Sequence, residues 1–84
     1  IARQTELVIE NIRNVLAQAG AGLDDVVSCR VYLAQLTPEN FQEMNAVYAR
    51  FFDAAKPARA TIGAQLPPGF DVEIECIAVV PGEP

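Results

Sequence analysis

Along residues 2–19 the apolar positions recur three or four apart. Val8, Ile12, Val15, Leu16 and Ala19 make one stripe, with Ile9 on its edge, and this period predicts an amphipathic helix. Gly20 and Gly22 follow and supply a stop, because glycine readily takes the left-handed conformation of a helix C-cap. From residue 26 the period shortens to two. "VVSCRVYLA" (26–34) places Val27, Cys29, Val31 and Leu33 on one face and Val26, Ser28, Arg30 and Tyr32 on the other. Both faces are partly apolar, which predicts a central strand covered on both sides.

The helical period returns in "LTPENFQEMNAVYARFFDAA". Thr37 is the expected N-cap, Pro38 occupies the first helical position, and Glu39 complements the helix dipole. Phe41, Met44, Tyr48, Phe51 and Phe52 form the predicted buried stripe, with Val47 beside it and Asn45 placed anomalously within it. Lys56-Pro57 is expected to end the helix, since the residue before proline is pushed to extended geometry. Residues 58–66 alternate again: Ala58, Ala60, Ile62, Ala64 and Leu66 against Arg59, Thr61, Gly63 and Gln65. After the turn at Pro67-Pro68-Gly69, residues 71–80 predict a last strand. Its continuous apolar face is Val72, Ile74, Cys76, Ala78 and Val80. The other face starts Asp71, Glu73, Glu75 and turns apolar at Ile77 and Val79.

The predicted order is α-β-α-β-β, an α+β class, with a parallel crossover from 26 to 66 and two helices on one sheet face. The other face has nothing in 1–84 to cover it, so Ile77 and Val79 are expected against a partner subunit. Residues 1–84 make a single domain, 51% hydrophobic and 20% charged, and a chain this small and apolar is expected to oligomerise. A tightly packed monomer is the alternative. The chain opens on what reads as the first turn of a helix and not on Met, so an N-terminal piece is expected to precede it.

Composition then removes several chemistries. Net charge is −5 and no run of Lys or Arg exists, which argues against nucleic acid as a partner. There is no histidine, and Cys29 and Cys76 form no metal-ligand spacing, so no metal is expected, and no cofactor. The cysteines read as reduced, unpaired thiols packed among aliphatic side chains, which places the protein in the cytoplasm. No apolar run is long enough to span a membrane.

What remains is a small set of polar residues in apolar patterns. Arg59 shares a strand face with Thr61 and with Gly63, which would leave room above it. A guanidinium there suits a carboxylate bidentately. Pairing of Arg59 with Glu73 or Glu75 on a neighbouring strand is the plainer alternative. Glu73 and Glu75 lie on one face roughly 7 Å apart, at about 3.3 Å per residue, and could hold or deprotonate a water. They could equally be a solvated edge, or one could pair with Arg30. Asn45 could reach a ligand or be tied to nearby backbone.

"PARATI" (57–62), "LP" (66–67) and "VEIECIAVVP" (72–81), with "NAVYARFF" (45–52), "SCRVYLAQL" (28–36) and "NIRNVLAQAGAGLDDVV" (11–27) in order, resemble the RidA/YjgF family of reactive-intermediate deaminases. The resemblance implies a chorismate-mutase-like fold, with three sheets in a homotrimeric barrel and helices outside. It also implies that the last strand pairs antiparallel with 26–34 and not as a hairpin with 58–66. The implied activity is hydrolysis of 2-iminoacids and their 2-aminoacrylate-type enamine tautomers to 2-ketoacids and ammonia, in a cleft between subunits. Arg59 would hold the substrate carboxylate, Glu73 would position water or a proton, and Asn45 and Thr61 would complete the substrate site. The stretch between Phe52 and Pro57 is shorter than in many members, and Thr61 stands where some carry cysteine. The family's N-terminal strands, which help to line the cleft, have no counterpart in 1–84. A non-catalytic small-carboxylate-binding or regulatory module, an RNA-acting translation inhibitor, and a packing or chaperone role are the competing readings.

Overall fold

The computed structural model describes residues 1–54 and 56–82. Its elements are α1 (Ala2–Gln18), a short 3-10 turn (Leu23–Asp25), β1 (Val26–Leu33), α2 (Pro38–Phe51), β2 (Ala58–Gly63) and β3 (Val72–Ala78). One three-stranded sheet has the order β2-β1-β3. Strand β1 pairs parallel with β2 and antiparallel with β3. It is central, as the two apolar faces of its sequence require, and the hairpin between the last two strands does not form.

Register assigns the faces, because directly paired residues point the same way. Cys29, Val31 and Leu33 pair with Arg59, Thr61 and Gly63 on one side, and with Cys76, Ile74 and Val72 on the other. This is the face the helices cover. Ile9, Val31, Leu33 and Met44 are fully buried, with Val72, Cys29 and Phe52 nearly so. The opposite face carries Arg30, Tyr32, Glu73, Glu75 and the exposed Ile62 and Ile77.

Several local expectations shift. The α1 stripe turns towards Ile9, which is fully buried with Thr5, while Val15 is exposed. Thr5 can be buried because its hydroxyl donates to the Ile1 carbonyl at 2.8 Å. In β1 the ladder is irregular between Val26 and Ser28. This bulge leaves Val27 exposed and turns Val26 into the core, reversing the simple alternation there. Helix α2 ends at Phe51, before the Lys56-Pro57 step; Ala55 of the predicted helix lies outside the described residues. Strand β2 stops at Gly63 and β3 runs Val72–Ala78, both shorter than the alternation suggests.

The predicted stops and starts form as expected. The Ala21 amide bonds the Leu16 carbonyl at 2.9 Å and the Gly20 amide the Ala17 carbonyl at 3.1 Å, around Gly20 at φ 77°. Thr37 Oγ1 accepts from the Asn40 amide at 3.1 Å. Gln4 ties the start of α1 to the approach of β3: its Oε1 accepts from the Asp71 amide at 2.8 Å.

Met44, fully buried where α2 meets the sheet, should cost about 2–5 kcal/mol when changed to Ala, through lost transfer energy and a cavity. Thr37→Ala should cost about 1 kcal/mol by leaving a helix amide unpartnered. Urea denaturation of the two variants checks the size and the order of these losses.

Candidate functional site

Arg59 sits on the helix-covered face of β2, an edge strand. The alternative of pairing with Glu73 or Glu75, which needs Arg59 on their face, is therefore corrected. The reason is register: opposite Cys29, its side chain is directed towards α2, at the margin where helix cover runs out. There the guanidinium lies over two rings, 4.6 Å from the Tyr48 centroid and 5.4 Å from that of Phe41. Its Nη1 donates to Asn45 Oδ1 at 2.5 Å. Asn45 and Tyr48 are one turn apart on α2, so a single helix face supplies the hydrogen bond and the stacking surface. Tyr48 is itself braced by Phe52, ring centroids 4.7 Å apart.

Among the described residues no carboxylate lies within ion-pair distance of Arg59. Pairing of Arg59 with Glu73 or Glu75 is excluded in this chain, because β2 and β3 flank β1 on opposite sides and these side chains point to opposite faces. A stacked guanidinium held by one amide keeps further N–H donors in its plane for a ligand. Beside it is a cavity of about 430 Å³, lined by Asn45, Tyr48, Phe52, Lys56, Pro57 and Arg59 among others.

The other expected residues fall elsewhere. Thr61 is on the Arg59 face, half-buried, and does not line this cavity. The room predicted above Gly63 is taken up: a Cβ there would lie 3.2 Å from Leu36 Cβ. The glycine serves close approach of the loop before α2. Glu73 is exposed on the open face, opposite Tyr32. Glu75 is the carboxylate that pairs: Tyr32 donates its hydroxyl to Glu75 Oε1 at 2.9 Å, and Arg30 Nη1 lies 3.4 Å from the same oxygen. The structure thus brings Arg59 and Asn45 together, and does not bring Glu73 or Thr61 to that cavity within one chain.

Tyr48 was legible only as core, and its second role as a platform for Arg59 was missed. Its place one turn from Asn45 is the signal that could have shown it. The cysteines also differ from expectation. They are free, but instead of lying apart among aliphatic groups they face one another across β1 and β3, with sulfurs 2.9 Å apart. The strand register, invisible from spacing, is responsible. Among the described residues no cluster of His, Cys, Asp or Glu could hold a metal ion, and no helix is long and apolar enough to cross a membrane.

The family profile described as Endoribonuclease L-PSP matches residues 1–80. The chain belongs to this family, the RidA/YjgF family. It is 44% identical over 80 residues to the mitochondrial protein MMF1 of Saccharomyces cerevisiae, covering 94% of this chain and 54% of that protein. It is 41% identical over 78 residues to the chloroplastic Reactive Intermediate Deaminase A of Arabidopsis thaliana, covering 92% of this chain and 41% of that one. Among solved structures, a YjgF/YER057c/UK114 family member from Mycobacterium tuberculosis superposes with a TM-score of 0.87 at 36% identity, over 94% of this chain and 67% of that chain. Yeast Mmf1 gives 0.86 at 42% identity, over 93% and 62%. The chain spans about half to three-fifths of the length of the first curated relatives it matches.

If Asn45 orients Arg59 for a carboxylate, Asn45→Ala should weaken binding of a small 2-ketoacid by about 2- to 12-fold, the range of one net hydrogen bond. Amide chemical-shift titration of 2-ketobutyrate into the two proteins measures the ratio.

Proposed function

We propose that this chain forms the carboxylate-gripping part of a hydrolytic deaminase acting on reactive 2-iminoacids and their enamine tautomers. The observation that carries the reading is Arg59: a cation held by Asn45 and two aromatic rings, with no carboxylate partner among the described residues, beside a cavity sized for a small acid. Two such features in one place suit recognition of an acid better than structural pairing. The family includes a protein named Reactive Intermediate Deaminase A, which supports the choice of reaction.

A 2-iminoacid has one carboxylate and one electrophilic carbon next to it. Fixing the carboxylate on Arg59 sets where that carbon meets water, so positioning contributes together with charge. Water adds to the carbon, the nitrogen takes a proton, and ammonia leaves as the ketone forms. Glu73 is the proposed group that takes and returns these protons. Since Glu73 lies on the open face and Arg59 on the covered one, the two can meet only between copies of the chain. The open face, with Ile62 and Ile77 exposed, is the surface we assign to the homotrimer. No cofactor takes part in this reading, and the free thiols suit a reducing, cytoplasmic setting. Thr61, away from the cavity in one chain, keeps a substrate role only if that assembly brings it to the acid.

The family profile's description favours a second reading, action on RNA. The net charge of −5 and the missing histidine weigh against it.

Arg59→Ala should lower kcat/KM for 2-iminobutyrate by about 10- to 200-fold, and Arg59→Lys should not fully restore it, because an ammonium lacks the planar fork. Glu73→Gln should mainly lower kcat, by about 10² to 10⁴. Mixing Arg59→Ala and Glu73→Gln subunits into joint oligomers should restore part of the activity, since some interfaces then join an intact Arg59 to an intact Glu73. Release of 2-ketobutyrate reads all three. Wild-type turnover by an Arg59→Ala oligomer would make Arg59 structural. RNA cleavage lost in the same variants would favour the second reading.

A further inference from the structure

We propose that Cys29 and Cys76 form a redox-active dithiol that reduces hydroperoxides and closes to a disulfide. The two residues are directly opposite in the antiparallel β1–β3 pair, and their sulfurs are 2.9 Å apart. Directly opposite residues in such a pair have Cα atoms about 4.5–5.5 Å apart, inside the range of about 4.4–6.8 Å that a disulfide spans. The bond can therefore form with little movement of the backbone.

A second observation points to the same place. The Tyr48 hydroxyl is buried without a hydrogen-bond partner, and Tyr48 as a whole is 6% exposed. An unmet buried hydroxyl normally costs about 1–3 kcal/mol, so its position needs a reason. Tyr48 packs in the same core cluster as Cys29 and is one of the groups that depress its thiol. The hydrogen bond from Cys76 is the largest influence on Cys29 and, helped by Tyr48 and by the Arg59 charge against the opposing burial, lowers it to about 7. The same shared proton holds Cys76 far above the ordinary thiol range. One proton thus leaves readily and the other stays between the two sulfurs.

Access is from one side. Cys29 is buried, whereas Cys76 is half-exposed and lies in the wall of a groove of about 350 Å³ between α1 and β3, with Val8, Ile12, Leu16 and Ile74. An apolar groove on an acidic chain admits an uncharged hydroperoxide in preference to an anionic disulfide. Loss of one proton leaves a single charge and a single proton shared by two sulfurs 2.9 Å apart, and when that proton sits on Cys29 the exposed Cys76 sulfur attacks the peroxide oxygen. An S–O bond forms, the O–O bond breaks, and the departing oxygen leaves as water or alcohol after taking a proton. The Cys29 sulfur then attacks Cys76. An S–S bond forms, the S–O bond breaks, and hydroxide leaves with the last thiol proton as water. Two electrons pass from the sulfurs to the peroxide, and an external dithiol reverses the change.

The test treats the whole protein with hydrogen peroxide or cumene hydroperoxide, followed by non-reducing peptide mapping. The expected product is a Cys29–Cys76 linked peptide, two hydrogens lighter than the separate peptides and released by dithiothreitol. Cys29→Ser should trap Cys76 as a sulfenic acid that dimedone labels, and Cys76→Ser should leave Cys29 unreacted. The proposal fails if the wild type accumulates sulfenic or sulfinic acid at Cys76 while Cys29 stays reduced, or if disulfides join different chains only.

Discussion

Strand β1 is paired along both of its edges, and the rest of the molecule follows from that constraint. A buried strand must find partners for its amides and carbonyls on both sides, because each unmet group is costly. With β2 parallel on one side and β3 antiparallel on the other, the pleat leaves no choice of direction for the side chains. Cys29, Val31 and Leu33 enter the core against α1 and α2, and Arg30 and Tyr32 meet Glu75 on the open face. The bulge at Val27 is the one place where the alternation breaks, and it lets Val26 join the core without shifting the rest of the strand.

The same constraint creates the candidate site. A strand at the sheet edge must carry its alternate residues towards the helices, and Arg59 falls on that parity. A guanidinium cannot be dropped into an apolar core without a partner. The edge position avoids that penalty: the group stays exposed while its flat face rests on Tyr48 and Phe41. Tyr48 is the joint between two chemistries. Its ring supports the cation, and the same side chain packs in the core cluster that holds Cys29.

Membership of the family rests on similarity over nearly the whole of this chain, and it carries the fold with it. It does not carry an activity, because relatives with the same scaffold bear names as different as endoribonuclease and deaminase. The choice among them depends on side chains at the margin of α2 and on the open face.

The sequence by itself determined the elements, their order and most of the core. Helical and alternating periods, the Thr37-Pro38 start and the Gly20 stop are local signals, and local backbone physics is sufficient to read them. It also identified Arg59, Asn45 and Glu73 as polar residues out of pattern, and family resemblance supplied the pairing of β3 with β1. Only the tertiary structure decided which face each strand turns to the helices. A period of two divides a strand into two sets but does not say which set is inside, and a single bulge or a choice of neighbouring strand decides it. For that reason Arg59 fell on the covered face, Glu73 was separated from it, the space over Gly63 went to Leu36, and two cysteines 47 positions apart met across β1 and β3.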